Sequence, residues 1–439
     1  MKRCALVAGI LLLVIAAGAT AEESDLFEYV NAPDPSFAWE VKAETDLAGG
    51  KACSIDLTSQ TWRGIVWKHW VTLVVPDETA FPDAVVLVVN GGKNGRPAPK
   101  LASETGLFAM GVAAKMGCAV AILDQVPNQP LLENRSEDGL IAHTFDQYIE
   151  TGEKDWPLLL PMTKSAVRAM DAIQAVLLEK YDRKIERFCV TGGSKRGWTT
   201  WLAAAVDRRV AAIAPMVIDM LHFKVQGPHQ LFTWGRFSEE IHDYTELDLP
   251  RRMEATPRGE ELLRMVDPWH HRHRITIPKL LLFGTNDRYW PVDAATNYFQ
   301  DLVGETYAHY VPNAGHGLDA SVADTLTTFF RRVLAGRPLP RLAWRTVENG
   351  SEVYLTVLPG EEPRGVALWT AASDSRDFRD SAWTSRPLEK NEFGAYVAKI
   401  PRPEEAKAHV AFFARVDFSD EDGRVLPVTT VVEIAGAMQ

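Results

Sequence analysis

Cysteine is scarce in this chain. There are four cysteines in 439 residues, and the three beyond the N-terminal segment, Cys53, Cys118 and Cys189, cannot all pair within one chain. Cys118 and Cys189 lie in apolar runs, which favours small buried core residues, although one bridge between two of the three stays open. No Cys-x-x-Cys pair and no Cys/His spacing typical of zinc occurs. The sequence therefore predicts no metal site and no cofactor.

Positive charge is also in short supply. The 47 Lys and Arg residues are outnumbered by 58 Asp and Glu residues, which gives a formal net charge of −11. This balance argues against nucleic acid and against anionic membrane surfaces as main partners, because both attract cations. Internal repeats at a solenoid period and long low-complexity segments are absent from the sequence. A chain of this length is long enough for one large core and a smaller second domain.

Long apolar segments are missing except at the N-terminus. There, a basic start, Met1-Lys2-Arg3, precedes an apolar run over residues 4–17, and Ala19-Thr20-Ala21 matches a small-residue cleavage site. This anatomy predicts a secretory signal peptide over residues 1–21. The alternative is a transmembrane anchor, for which the run is short, since a span needs about 20 residues. We expect a periplasmic or extracellular protein with no membrane span after signal cleavage.

Between residues 22 and 336, apolar runs rich in β-branched residues alternate with amphipathic segments. The runs lie at residues 71–75, 84–89, 118–123, 187–190, 210–217, 279–283 and 308–311. Residues 102–115 and 163–180 have apolar residues at three- and four-residue spacing, which is typical of helices. Strands that alternate with helices predict an α/β domain with a mostly parallel sheet covered on both faces. Continuous apolar strands agree, since such strands are buried on both sides.

Two stretches depart from this alternation. The connection between residues 217 and 279 is about sixty residues long, and long insertions of this kind usually form caps over a pocket. We therefore expect a lid-like insertion over about residues 219–275. After residue 336 the pattern changes to short alternating strands at 352–358, 366–370, 395–400, 409–418 and 428–434. Residues 340–439 are predicted to form a β-sandwich-like domain.

The stretch CVTGGSKRGW, residues 189–198, ends an apolar strand with two glycines, a serine and two cations. A strand followed by Gly-x-Ser and a helix is typical of a nucleophile elbow, in which Gly192 permits a sharp turn that presents the hydroxyl of Ser194. The usual motif has a second glycine two residues after the serine, but Arg196 stands there and Gly197 follows it. The alternative is a glycine turn in which Ser194 caps a helix.

Two later loops carry the partners that a nucleophilic serine needs. Asp287 follows the apolar strand of KLLLFGTNDRYWPVDA, and His316 follows the next strand in YVPNAGHGLD. The chain order Ser194, Asp287, His316 is that of the catalytic triad in α/β-hydrolases. His316 would act as base and then as acid, and Asp287 would orient and stabilise its ring. Asp219, after the strand that ends near residue 217, is the competing acid, unless it serves as a helix N-cap.

An oxyanion would need two backbone donors. One is the N–H of Lys195, directly after the serine, and the other is predicted on the loop VVNGGKNG, where Gly92 or Lys93 would donate. A plain glycine loop is the alternative. Lys195 and Arg196 oppose the dipole of the helix that they begin. Two explanations stay open for this pair: recognition of an anionic substrate group or of the oxyanion, and salt bridges to a neighbouring loop.

Tryptophans are candidates for the lining of a substrate pocket. Those in question are Trp62, Trp67, Trp234, Trp269 and Trp290, although core packing explains any single one of them. The run WHHRHR at residues 269–274 does not predict a metal site, because its histidines lack i, i+4 pairing and its arginines would repel a cation.

Four segments of the chain are similar to segments of a known protein family. LTSQTWRGIVWKHWVTLVVP, GGSKRGWTTWLAAAVDRRV, PKLLLFGTNDRYWPVDA and WTAASDSRDFRDSAW resemble the PhoPQ-activated pathogenicity-related protein family over nearly the whole chain after the signal segment. The resemblance implies an α/β-hydrolase fold and a secreted serine hydrolase with a poorly defined substrate. The turn around Ser194 is also similar to that of glucuronoyl esterases, where a cation follows the serine.

The residues and the resemblance together predict a secreted, cofactor-free serine hydrolase that cleaves a small-molecule or polymer ester or amide through an acyl-enzyme. An ester, with a carbohydrate ester as one candidate, is favoured. Arg196, Trp234, Trp269 and Trp290 are the candidate substrate contacts. An aminopeptidase-like serine peptidase and a non-catalytic binding protein on the same fold are the alternatives, the second because β-sandwich domains often bind partners.

Overall fold

A computed structural model of the protein describes residues 25–420 and 422–437. The predicted signal peptide, residues 1–21, lies outside these residues. In chain order the strands are β1 (Ala38–Leu47), β2 (Gly50–Trp62), β3 (Ile65–Pro76), β4 (Ala84–Val89), β5 (Ala119–Leu123), β6 (Arg187–Gly193), β7 (Val210–Met216), β8 (Lys279–Gly284), β9 (Thr306–Val311), β10 (Leu342–Asn349), β11 (Glu352–Pro359), β12 (Gly365–Ser373), β13 (Thr384–Pro387), β14 (Tyr396–Pro401), β15 (His409–Ser419), β16 (Val425–Thr429) and β17 (Glu433–Gly436).

The helices occupy the connections that the sequence pattern indicated. They are α1 (Asp25–Asn31), α2 (Glu104–Met116), α3 (Glu137–Thr151), α4 (Leu159–Tyr181), α5 (Lys195–Val206), α6 (Phe223–Trp234), α7 (His242–Thr245), α8 (Leu249–Ala255), α9 (Pro257–Val266) and α10 (Val322–Leu334). The predicted helix at residues 163–180 begins earlier, at Leu159. Pro161 therefore lies in its first turn, where the missing N–H costs nothing. No helix of the described residues is long and apolar enough to cross a membrane.

Most strands belong to one large sheet. Its order is β1-β2-β3-β5-β4-β6-β7-β8-β9-β16-β15-β12-β13, and β17 pairs with β15. Strands β4 to β9 are parallel to one another, whereas β1, β2 and β3 are antiparallel to each other, and β3 is antiparallel to β5. With a serine in the tight turn after β6, this is the arrangement of an α/β-hydrolase. The predicted fold class, with a β-rich C-terminal part, is confirmed.

Strand β4 shows why the sheet is covered on both faces. Its alternate side chains Val85, Leu87 and Val89 pack into a core that includes α3, α4 and α5, and Ala84 and Val86 face a second core that includes α2 and α10. Because successive side chains of a strand point to opposite faces, an uninterrupted apolar run is required here.

The C-terminal part is joined to this sheet by hydrogen bonding. Strand β16 runs antiparallel to β9, with Thr429 opposite Ala308, and β10, β11 and β14 form a separate three-stranded sheet. Side chains of β11, among them Leu355, pack into the same core as Phe412 and Val416 of β15. The two sheets therefore face each other across an apolar layer, as in a sandwich. One of them is a continuation of the hydrolase sheet, which the sequence pattern did not indicate.

Several other expectations differ in detail from the structure. The predicted strand at 428–434 is divided into β16 and β17, which both pair with β15. Residues 38–62 form the long strands β1 and β2, which the sequence analysis did not identify. The three cysteines of the described residues are free and buried, so none of the bridges left open is formed.

Phe413 of β15 provides a test of the junction between the two parts. It is fully buried, and its ring centroid lies 5.8 Å from that of Tyr310 on β9 and 5.4 Å from that of Trp383. We expect Phe413→Ala to lower the free energy of unfolding by about 3–5 kcal/mol, because it leaves a cavity in this cluster. Urea unfolding, followed by fluorescence and circular dichroism, measures the change.

Phe393→Ala is the matched control, since this ring is 81% exposed and its removal should alter stability by no more than about 0.5 kcal/mol. A Phe413→Ala protein with wild-type stability would show that the junction contributes little.

Candidate active site

The turn between β6 and α5 holds Ser194 in an uncommon backbone conformation. Its φ is +56° and its ψ is −127°, in a region that costs a non-glycine residue about 1–3 kcal/mol. The N–H of Ser194 donates to the carbonyl of Met216 on β7, at 2.8 Å, so the neighbouring strand supports the turn. The serine therefore stands at the carboxyl edge of the parallel sheet, where such sheets place their sites.

Two glycines allow this turn to close. A Cβ at Gly192 would lie 2.8 Å from the carbonyl oxygen of Arg196, and a Cβ at Gly197 would lie 2.9 Å from the carbonyl oxygen of Gly192 and 3.0 Å from that of Met216. Neither position has room for a side chain. The close contact normally made by a glycine two residues after the serine is therefore made here by Gly197, three residues after it. This explains the departure from the usual motif.

Asp287 and His316 meet across the loops that follow β8 and β9. Nδ1 of His316 lies 2.8 Å from Oδ2 of Asp287, and Oδ1 of Asp287 accepts the backbone N–H of Tyr289 at 2.9 Å. Nε2 of His316 is buried and has no hydrogen-bond partner within the described part of the chain. His316 and Ser194 line the same cavity. In a neutral ring that donates from Nδ1, Nε2 presents its lone pair and is able to accept a proton.

The competing acid, Asp219, has a different partner. It is buried, and its Oδ1 accepts a hydrogen bond from the hydroxyl of Tyr298 at 2.6 Å. Burial raises the pKa of the Asp219 carboxyl well above its usual range, and the neighbouring Asp287 adds to the rise. The carboxylate that contacts His316 is therefore that of Asp287.

The loop between β12 and β13 forms hydrogen bonds with the loops that carry Asp287 and His316. The sequence analysis did not predict this contact. Asn286, directly before the site carboxylate, donates to the carbonyls of Arg379 and Ser381 at 3.1 and 2.8 Å. Asn313, three residues before the site histidine, exchanges two hydrogen bonds with the backbone of Trp383, at 3.0 and 2.8 Å. The asparagines in TND and PNAGHG were visible in the sequence, but their distant backbone partners were not.

Both cations after the serine are engaged by the acidic start of α3. Nζ of Lys195 lies 2.9 Å from Asp138 and 3.1 Å from Glu137. Arg196 forms two hydrogen bonds with Glu137, at 2.7 and 2.8 Å, and a third with the carbonyl of Val126 at 2.6 Å. Burial would raise the pKa of Glu137, but the hydrogen bond and charge of Arg196 outweigh it and lower that pKa to about 2. Of the two explanations for this pair, the salt bridge to a neighbouring loop is the one observed.

A cavity opens beside Ser194 and His316. The insertion between β7 and β8 contributes more than half of its lining residues, among them Phe223, Phe237, Ile241, Met253 and Leu263. The insertion therefore forms most of the cavity wall.

The tryptophan candidates have separate positions. Trp290 lines the cavity, next to Tyr289, whose ring stacks on that of His316 with centroids 4.2 Å apart. Trp62 and Trp67 are fully buried in the core and pack edge to face, with centroids 5.8 Å apart. Tyr289 was not among the predicted site residues, although it lies two positions after Asp287.

Three predicted substrate contacts are not among the lining residues of this cavity. Arg196 is held by the α3 carboxylate described above. The guanidinium carbon of Arg379 lies over Trp234, 4.2 Å from the centroid of the Trp234 ring. The ring of Trp269 stacks on that of His222, with centroids 4.0 Å apart. All three side chains bind other parts of the protein instead.

The two predicted oxyanion donors lie on adjacent elements. Lys195 is the first residue of α5, so its N–H is one of those that a helix leaves unpaired. The loop after β4 packs directly against α5, since a Cβ at Gly91 would lie 2.6 Å from Nη2 of Arg196. Gly92, with φ +138°, and Lys93 follow on this loop but are not among the lining residues of the cavity.

Comparison with known proteins finds several chains that are similar to this one. The chain is 32% identical over 398 residues to autocrine proliferation repressor protein A of Dictyostelium discoideum, covering 84% of this chain and 79% of that protein. Among solved structures, an acetyl xylan esterase from Paenibacillus sp. R4 has a TM-score of 0.49 at 16% identity, over 70% of this chain and 91% of that one. For a glucuronoyl esterase from Solibacter usitatus the TM-score is 0.41 at 14% identity, over 71% and 91%.

A family model also matches the chain, over residues 26–379, and it confirms the resemblance drawn from the four sequence segments. The chain belongs to the PhoPQ-activated pathogenicity-related protein family.

Proposed function

We propose that this protein is a secreted serine hydrolase that cleaves an ester through an acyl-enzyme. Ser194 is the nucleophile, His316 the general base and acid, and Asp287 the residue that orients the imidazole. The observation that supports this most strongly is the contact of 2.8 Å between Asp287 and His316 at a cavity also lined by Ser194.

The proposed chemistry follows from these positions. His316 takes the proton of Ser194 at Nε2 as Oγ attacks the ester carbonyl, and the Asp287 carboxylate stabilises the imidazolium that forms. The backbone N–H of Lys195 at the start of α5 is placed to stabilise the oxyanion. The alcohol leaves with the proton from His316, and water then releases the acid from Ser194 by the same steps in reverse.

An ester is favoured over a peptide because of how the acidic groups are used. An aminopeptidase-like enzyme needs a free carboxylate to hold the substrate ammonium. The two carboxylates at the start of α3, Glu137 and Asp138, are already bound by Lys195 and Arg196. The third carboxyl of the cavity, Glu254, has its pKa raised by burial, which disfavours the charged form that would hold an ammonium. The two cations and the tryptophans made a carbohydrate ester one candidate. Because most of these residues do not line the cavity, the alcohol of the ester stays undefined.

The first test is labelling with a small fluorophosphonate probe, which reacts only with an activated serine. We expect wild-type protein to be labelled, and Ser194→Ala and His316→Ala to lose labelling, because the first lacks the nucleophile and the second lacks the base. Exposed Ser375→Ala and His273→Ala are matched controls and should label like wild type.

Folded wild-type protein that takes up no probe would contradict the proposal and favour the non-catalytic binding alternative. Turnover confined to aminoacyl anilides would instead favour the peptidase.

The second test separates the two acids. Asp287→Asn should lower the rate of labelling and of ester hydrolysis by on the order of 10³–10⁴, since an amide favours the wrong imidazole tautomer. Asp219→Asn should leave both rates close to wild type, because Asp219 contacts Tyr298 rather than His316 and the amide preserves the shape of the side chain. The reverse ranking of the two variants would assign the role to Asp219.

The proposal of secretion has its own test. It is supported by the signal anatomy of residues 1–21. Expressed in a Gram-negative host, the full chain should appear in the periplasm or medium with Glu22 as its first residue, as measured by fractionation and mass spectrometry. A chain without residues 2–21 should stay in the cytoplasm. Equal distribution of the two proteins would overturn the proposal.

A further inference from the structure

The cavity beside Ser194 is built mainly from apolar side chains. Trp198, Ile218 and Met220 lie on the side of the elbow, and the lid contributes Phe237 and Leu263, among others. A group attached to Oγ of Ser194 is therefore adjacent to a largely apolar wall. Burial of apolar surface is the main interaction that such a wall offers a ligand.

Two glutamines of the wall are engaged within the protein. Gln226 donates to the carbonyls of Leu221 and Ala294, at 3.0 and 3.2 Å. Gln230 donates to the carbonyl of Tyr289 at 3.0 Å and accepts the N–H of Ser238 at 2.9 Å.

The charged groups next to the nucleophile are engaged in the same way. Asp138 binds Lys195 at 2.9 Å and accepts the hydroxyl hydrogen of Tyr244 at 3.0 Å. A sugar or peptide placed here would lose hydrogen bonds to water and find few free partners, which is costly. An alkyl or aryl group forms no hydrogen bonds to water and would therefore lose none on entering the cavity.

Gly227 on α6 is one of the residues that line the cavity. A Cβ built at this position would lie 3.4 Å from Glu254 and 3.8 Å from Phe237, which are ordinary van der Waals distances. The backbone therefore tolerates a side chain, and the absence of one leaves open space at the cavity wall. A larger residue would extend into the cavity without a backbone clash.

From these contacts we infer that the cavity is an acyl pocket, and that the substrate is an ester of a medium- or long-chain apolar acid. This rests on the proposed function. The acyl group occupies the cavity while its carbonyl carbon is bonded to Oγ of Ser194, and the alcohol departs with the proton from His316. Water then cleaves the Ser194 ester, and the apolar acid is released.

The experiment compares two series of esters on the intact mature protein. One series varies the acid of p-nitrophenyl esters from acetate to dodecanoate, and the other varies the alcohol of acetate esters. In the acyl series we expect kcat/KM to rise by roughly threefold to fourfold for each added methylene until the cavity is filled. In the alcohol series we expect no comparable rise.

A variant pair locates the effect. Gly227→Leu should lower the ratio of decanoate to acetate kcat/KM by on the order of 50-fold, since the new side chain takes the space of about three methylenes. Gly111→Leu is the matched control, because Gly111 is an exposed helical glycine on α2 with no atom within 4 Å of a built Cβ. The ratio of decanoate to acetate kcat/KM in Gly111→Leu should equal that of wild type. Partial unfolding of either variant cancels, because both esters are measured on one preparation.

The outcomes separate this inference from the function on which it rests. Turnover with a flat or falling acyl profile would overturn the acyl pocket and leave the esterase proposal standing. A length dependence confined to the alcohol series, or a ratio in Gly227→Leu that equals that of Gly111→Leu, would also overturn it. Absence of turnover for every ester would overturn the esterase proposal and the acyl pocket together.

Discussion

The sharp turn at Ser194 is the constraint on which the rest of the site depends. A serine at φ +56° is presented at the sheet edge only if the strand before it and the helix after it approach very closely. Gly192 and Gly197 permit this approach, since a side chain at either would lie within 3 Å of a backbone carbonyl oxygen. Because Gly197 makes the second contact, Arg196 keeps its side chain. This side chain binds Glu137, whose carboxylate neutralises a positive charge that is otherwise unfavourable at the start of α5.

The parallel sheet then brings together residues that are distant in the chain. Loops that follow parallel strands lie at one edge of the sheet, so those after β6, β8 and β9 meet, and Asp287 contacts His316 there. The C-terminal part contributes to this meeting. Its β12–β13 loop accepts hydrogen bonds from Asn286 and Asn313, which stand beside the two site residues. The same part continues the sheet through β16.

The lid and the cavity explain why several substrate contacts predicted from residue type alone were wrong. Tryptophans and cations near a site suggest substrate contacts, but Trp234 and Trp269 stack on other side chains of the protein. Most of the lining comes instead from the insertion between β7 and β8, and many of its residues there are ordinary apolar ones. Such residues have no individual signature in a sequence, because the same side chains also fill every core.

The sequence by itself determined the sheet-and-helix alternation, the β-rich C-terminal part and the family, and it indicated Ser194, His316 and two candidate acids, Asp219 and Asp287. These follow from local patterns: the period of apolar residues, the glycines of a turn and the order of polar residues after strands. Only the tertiary structure decided the choice of Asp287 over Asp219, the ion pairs of Lys195 and the shape of the cavity. Each of these depends on which side chains meet across long stretches of intervening chain, and local patterns carry no record of such contacts.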